Sequence, residues 1–192
     1  TKMQAKTNMP YHVVRTYALA LKGLVFLFLS QTIWASSVQL SLIDQKGNPL
    51  TSAVITLTPT SGAQAPQEQL PVSVAQLEKE FVPEVSVVRT GTAISFPNKD
   101  TIGHHVYSFS KAKTFDLPLY QGTPSEPIVF DTPGLVTLGC NIHDWMRAYV
   151  IVVDTPYYQI SNEQGVASIA DLAPGKYELE VWHSRQRKSF KE

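Results

Sequence analysis

Residues 139–152 read GCNIHDWMRAYVIV, a stretch that holds the one cysteine of the 192-residue chain, with His143 three positions later and Met146 three after that. Before it runs LVTLG (135–139) and after it RAYVIVVD (147–154), both with the short apolar patterning of strands. A thiol, an imidazole and a thioether are thereby presented within seven residues on a loop between two strands, at one end of a β framework. Loops on rigid β frames are where function is usually mounted.

The rest of the chain predicts more of the same framework. SVQLSLID (37–44) and AVITLTP (53–59) flank a QKGNP turn and read as a hairpin. TSGAQAPQEQLP (60–71) reads as a loop, and VAQLEKEFVP (74–83) as one helical turn or an extended segment. VSVVRTG (85–91) and TAISFPN (92–98) read as strands joined tightly around Gly91, and HHVYSFS (104–110) as another strand after the loop KDTIG. IVF (128–130) and LVTLGC (135–140) flank the turn DTPG. The tail SNEQGVASIADLAPGKYELEVWH (161–183) offers a turn, a short strand, a corner and an alternating strand, whereas HSRQRKSFKE shows no obvious closing strand. The fold class expected is all-β.

The first 35 residues carry Lys2, Lys6, Arg15 and Lys22 and no acid, then the apolar run GLVFLFLSQTIW (23–34), then Ala35, Ser36 and Ser37. Positive flank, short apolar core and small residues predict a secretory signal peptide over 1–35, an uncleaved anchor being the alternative. The remainder has twelve bases against sixteen acids, a formal charge of minus 4. That balance argues against nucleic acid as a partner and for a soluble periplasmic product without stable membrane insertion after cleavage. A lone cysteine in an exported chain is buried, paired with another chain, or used chemically.

Soft donors select the metal. Thiolate, thioether and imidazole together suit copper, whereas zinc seldom takes methionine and hard ions want oxygen. Three such donors from one loop leave a trigonal copper site short of one imidazole, and His104, 36 residues before the cysteine at the head of a strand, supplies it. Cysteine plus two histidines with a weak axial methionine is the donor set of blue-copper electron-transfer centres.

At these residues the chain resembles the cupredoxins of the plastocyanin and amicyanin types, over roughly residues 74–154. FPNKD, HHVYSFS and GCNIHDWM are also similar to secreted cupredoxin-like proteins labelled methylamine utilisation proteins. The resemblance implies a Greek-key β-sandwich, one type 1 copper ion and the ligand set His104, Cys140, His143 and Met146. It further implies a periplasmic carrier of single electrons that is not an enzyme and works between unidentified redox partners. Where the family usually has asparagine after the first ligand this chain has His105, so two adjacent histidines compete for the role. His104 is favoured because it follows Phe96 by the family-like eight residues, and alternation turns only one of the pair inward.

The first and last strand pairs have a different resemblance. Asp44, Gly47, Pro49, Leu50 and Ala53–Leu57, with Gly165, Leu172, Pro174, Gly175, Tyr177 and Val181, are similar to the small transthyretin-like or carboxypeptidase-regulatory sandwiches. The implied organisation is outer β elements at 37–60 and 155–192 with the cupredoxin domain at 74–154 inserted, or else one sandwich with added edge strands.

Three rivals share these residues. A copper storage or delivery module would use the same ligands without electron transfer. An enzyme would use Cys140 as nucleophile and His143 as base, against which stand their close spacing and the lack of an evident third residue. A structural β-sandwich binding protein would not need Cys140 at all.

Overall fold

The computed structural model describes residues 36–61, 72–124, 126–186 and 190–191. The expected leader and most of the expected loop at 60–71 lie outside the described residues. Every regular element among the described residues is a strand, as an all-β reading requires. In order they are β1 (Ser36–Ser41), β2 (Val54–Pro59), β3 (Val72–Ser73), β4 (Ala75–Leu77), β5 (Glu80–Val82) and β6 (Val85–Arg89). There follow β7 (Thr92–Ser95), β8 (His104–Ser110), β9 (Lys113–Tyr120), β10 (Ile128–Phe130) and β11 (Gly134–Gly139). The last are β12 (Arg147–Val153), β13 (Tyr157–Ile160), β14 (Val166–Leu172), β15 (Tyr177–Trp182) and β16 (Phe190–Lys191).

The middle of the chain forms a five-stranded sheet in the order β6-β12-β11-β8-β9 and a three-stranded sheet β10-β7-β3. Period-two alternation decides what each strand buries. From β8 come His104, Val106 and Ser108, from β11 Val136 and Leu138, and from β12 Ala148, Val150 and Val152, all buried. The second sheet answers with Ile94 and Phe130, and Phe96 follows β7. Rings of Phe96, Phe115 and Phe130 meet one another at 5.6–6.5 Å, the tilted and edge-on contacts aromatic pairs prefer. Cys140 and Met146 belong to this same apolar cluster.

Two of the expected turns carry the chain from one sheet to the other. Gly91, with φ of +89°, does join β6 to β7, but those strands enter different sheets rather than forming a hairpin. The same holds for β10 and β11 on either side of DTPG. The segment 74–83 is extended, a β4–β5 hairpin whose two-residue turn, Glu78 and Lys79, has φ of +55° and +61°. β9 was not foreseen; it is an edge strand, the position where its Pro118 costs no ladder bond.

The chain's two ends build separately. β1 pairs with β14, and β13-β2-β15-β16 form a four-stranded sheet whose β16 is the closing strand the tail did not advertise. A second apolar cluster lies between them, with Leu42, Ala53, Ile55, Leu57, Ala167, Ile169 and Val181 among its members. None of its residues belongs to the middle cluster.

Candidate metal centre

Antiparallel pairing brings the sequence-predicted donors to one end of the five-stranded sheet. β8 starts at His104 and runs antiparallel to β11, which ends one residue before Cys140; the ladder partner of Gly139 is Tyr107. β11 and β12 then close the Cys-His-Met loop, with Gly139 opposite Arg147. Inside the loop the Met146 N–H donates to the His143 carbonyl at 3.0 Å, which winds Met146 back beneath the turn.

One donor atom each from His104, Cys140 and His143 lies within 4.8 Å of the other two. His104 is fully buried, Cys140 nearly so, and His143 half-buried at the rim. The His104 and His143 rings stand 5.0 Å apart, and Cys140 Sγ lies 3.9 Å from His143 Nδ1. Met146 is buried in the apolar cluster that also holds Cys140 and lines, with Cys140, one groove beside the loop.

His105 takes a different course. Its Nε2 pairs with Asp116 Oδ1 at 2.7 Å and its ring meets Tyr107 at 5.4 Å, on the face of the sheet away from the core. The alternation of β8 therefore separates the two histidines as expected, and only His104 joins the group with Cys140 and His143.

The support beneath His104 was not read from the sequence. Its Nε2–H donates to Asp100 Oδ2 at 2.7 Å. Asp100 also accepts the Glu78 N–H at 2.7 Å and the Lys79 N–H at 2.9 Å, which holds the left-handed β4–β5 turn. The Lys79 N–H is the largest influence keeping this carboxyl below its usual range, the His104 and Glu78 bonds adding to it and burial opposing them. Asn98, buried, shapes the loop before β8: its Oδ1 accepts the Asp100 N–H and its Nδ2 donates to the Ile102 and Tyr120 carbonyls. The signal for both residues was present in Asn98-x-Asp100 followed by His104 four residues on, an Asx turn within reach of an imidazole.

Deeper in, fully buried Gln76 donates from Nε2 to the Tyr120 hydroxyl at 2.6 Å, which donates to the Phe96 carbonyl at 2.7 Å. Burial pushes the Tyr120 phenol up, with Gln76 opposing and Cys140 adding to the shift. At the surface Trp145 is 65 % exposed, its ring 5.1 Å from His143 and its Nε1–H bonded to the Lys79 carbonyl at 3.2 Å. The β4–β5 turn thus touches both metal-side loops.

The donors can be tested against a soft metal without reference to any relative. A carboxylate is acceptor-only, so in the neutral imidazole of His104 the proton sits on Nε2 and Nδ1 carries the lone pair. That Nδ1 is buried and unpartnered among the described residues. An orphaned buried acceptor costs stability unless something fills it, and the ring that carries it lies beside a buried thiol and a second imidazole. His105 Nδ1 is likewise unpartnered, but among the described residues His105 belongs to no group of three such donors. The residues present fit a copper ion.

No protein-family model matches the chain, and no curated protein matches it. Among solved structures it is similar to a copper-containing nitrite reductase from Thermus scotoductus SA-01, at 24% identity and TM-score 0.41, over 50% of this chain and 25% of that one. It therefore spans about a quarter of that enzyme's length. It is similar to a purple cupredoxin from Nitrosopumilus maritimus at 19% identity and TM-score 0.38, over 43% of this chain and 99% of that one. A mutant amicyanin in its Cu(I) state matches at 16% identity and TM-score 0.40, over 52% of this chain and 98% of that one.

Proposed function

We propose that this chain is a cupredoxin-type protein of the periplasm, exported by its N-terminal segment, that carries single electrons on one type 1 copper ion between redox partners. The observation that supports it most is the convergence of His104, Cys140 and His143 within 4.8 Å at a buried strand end. His104 Nδ1, Cys140 Sγ, His143 Nδ1 and the thioether of Met146, buried in the same cluster as Cys140, would hold the ion. When bound, the ion would supply a one-electron couple whose potential a thioether donor such as Met146 would tune.

The chain's own residues supply rigidity. Asp100 fixes the tautomer and orientation of His104, as carboxylate partners of metal-binding histidines do. The β8–β11–β12 ladder holds the two loop ends, and burial of Cys140 and Met146 keeps water from the thiol. His143, half-buried under Trp145, is the donor nearest to solvent and the expected docking point for a partner. A nucleophilic role for Cys140 is less well supported, because among the described residues no carboxylate bonds His143 to orient it as a base. In the same reading the metal unit is residues 74–154, inserted between the halves of an outer unit at 37–60 and 155–192. The two separate apolar clusters support that division.

The test is a visible and EPR spectrum of the protein loaded with Cu(II), beside Cys140→Ser. Intense blue colour with narrow hyperfine splitting, lost in the variant, is the expected result. A pale protein with no thiolate band overturns the electron-transfer reading and leaves a Cu(I) carrier or a structural cysteine.

A further inference from the structure

The β4–β5 turn is hydrogen-bonded to both of the loops that flank the candidate ligands. A two-residue turn leaves the polar groups of its own residues outside the strand ladder, where they need other partners. Asp100 takes two donors, accepting the Glu78 N–H at Oδ1 and the Lys79 N–H at Oδ2. The Lys79 carbonyl accepts the indole Nε1–H of Trp145 at 3.2 Å. Lys79 is therefore held from both sides, its amide by the loop before β8 and its carbonyl by the Cys140–Met146 loop. With φ of +61° it occupies a left-handed conformation that a residue with a side chain keeps only where its surroundings fix it.

The Asp100 oxygen that accepts the Lys79 amide also accepts His104 Nε2–H at 2.7 Å. The direction of that carboxylate, and through it the plane of the His104 ring, follows from where the turn places its amides. We propose that Trp145 is a positioning residue for His104, acting through the Lys79 carbonyl, the β4–β5 turn and the Asp100 carboxylate. The inference deepens the copper reading and rests on it for the role of His104 as a ligand. Trp145 is exposed and His104 fully buried, so this chain of bonds links the rim of the site to a residue that solvent does not reach. Trp145 also stands 5.1 Å from the His143 ring, and chemistry separates the two effects. Phenylalanine in its place keeps an aromatic ring beside His143 but has no N–H to give.

The first test is made without metal, by NMR hydrogen exchange of the Lys79 N–H and the His104 Nε2–H in the parent and in Trp145→Phe. Both protons are expected to exchange about threefold faster or more in the variant, the change in local opening that one hydrogen bond supports. Unchanged exchange at His104 overturns the proposal, whether or not Lys79 responds. The second test is voltammetry of the copper-loaded protein. A less firmly held imidazole is a weaker nitrogen donor to Cu(II), so the reduction potential is expected to rise in Trp145→Phe. It should rise less when the same change is made in Asp100→Ala, where the link is already cut. A potential that falls or stays, or an equal rise in both backgrounds, overturns the proposal and leaves Trp145 acting on His143 alone. A protein without a thiolate band would refute the copper reading separately, and the metal-free exchange would still decide whether Trp145 positions His104.

Discussion

Asp100 and His104, four residues apart, are joined by a 2.7 Å hydrogen bond from the imidazole Nε2–H to a carboxylate that also holds the Glu78 and Lys79 amides. One side chain therefore secures both a candidate metal ligand and a hairpin turn in which two residues with side chains adopt the left-handed conformation. Such a turn ordinarily takes Asn-Gly, and Glu-Lys needs outside support to keep it.

Asp100→Ala removes both anchors. Copper affinity is expected to fall about ten- to a hundredfold, the usual cost of losing a ligand's hydrogen-bonding partner. Chelator competition measures it. Asp100→Asn keeps the shape and one acceptor and is expected to lose less; equal affinity in all three proteins would remove Asp100 from any orienting role.

Met146→Gln exchanges a thioether for a harder oxygen donor of similar size. The protein is expected to keep copper and show a lower reduction potential by voltammetry. An unchanged potential would place Met146 outside the ligand set, as a residue of the apolar cluster that also holds Cys140.

Gly139 lies under the Tyr107 ring so closely that an added Cβ would come within 2.8 Å of the phenol carbon and oxygen. Gly139→Ala is expected to destabilise by about 1–3 kcal/mol through overpacking. Tyr107→Leu should relieve most of that cost in the double variant, and urea unfolding of the four proteins measures the coupling. Additive losses would mean that the ring moves aside freely.

His183 is buried and its neighbours dictate a single neutral form: Nδ1 accepts the Arg185 N–H at 3.1 Å and Nε2–H donates to the Thr51 carbonyl at 3.0 Å. Burial holds its pKa below the ordinary 6.5, with Arg185 adding, and the Thr51 bond and Glu84 opposing. The unfolded chain therefore takes the proton first. The stability due to neutral His183 is complete above pH 6.5, declines as pH falls below that value, and levels off once the folded imidazole is itself protonated. Urea midpoints at pH 7.5 and 5.0 should differ more in the parent than in His183→Gln, and equal differences would exclude this source.

The residues that made the site legible were those with unusual chemistry at fixed intervals. Cys140, His143 and Met146 share one short loop, so local sequence was enough to put them on one segment, and of the two adjacent histidines it is His104 that lies with Cys140 and His143. What escaped were contacts with no local signature. Asp100 meets the Glu78 and Lys79 amides across more than twenty residues, and Gln76 meets Tyr120 across 44. Strand pairing was hidden for a related reason: Gly91 and Pro133 each mark a turn, but a turn residue does not reveal whether the chain returns to the same sheet or crosses to the other. β9 was obscured by Pro118, which is compatible with a strand only at an edge, and edge position is a property of the assembled sheet.

The antiparallel course of β8 and β11 places the head of one strand beside the tail of the other, so the 36-residue step from His104 to Cys140 is looped closed by the ladder itself. Closing a chain of that length costs about 3 kcal/mol in entropy, and the folding of the sheet bears it before any ion arrives. The donors that would hold an ion are therefore brought together by the sheet, with no further closure of the chain needed.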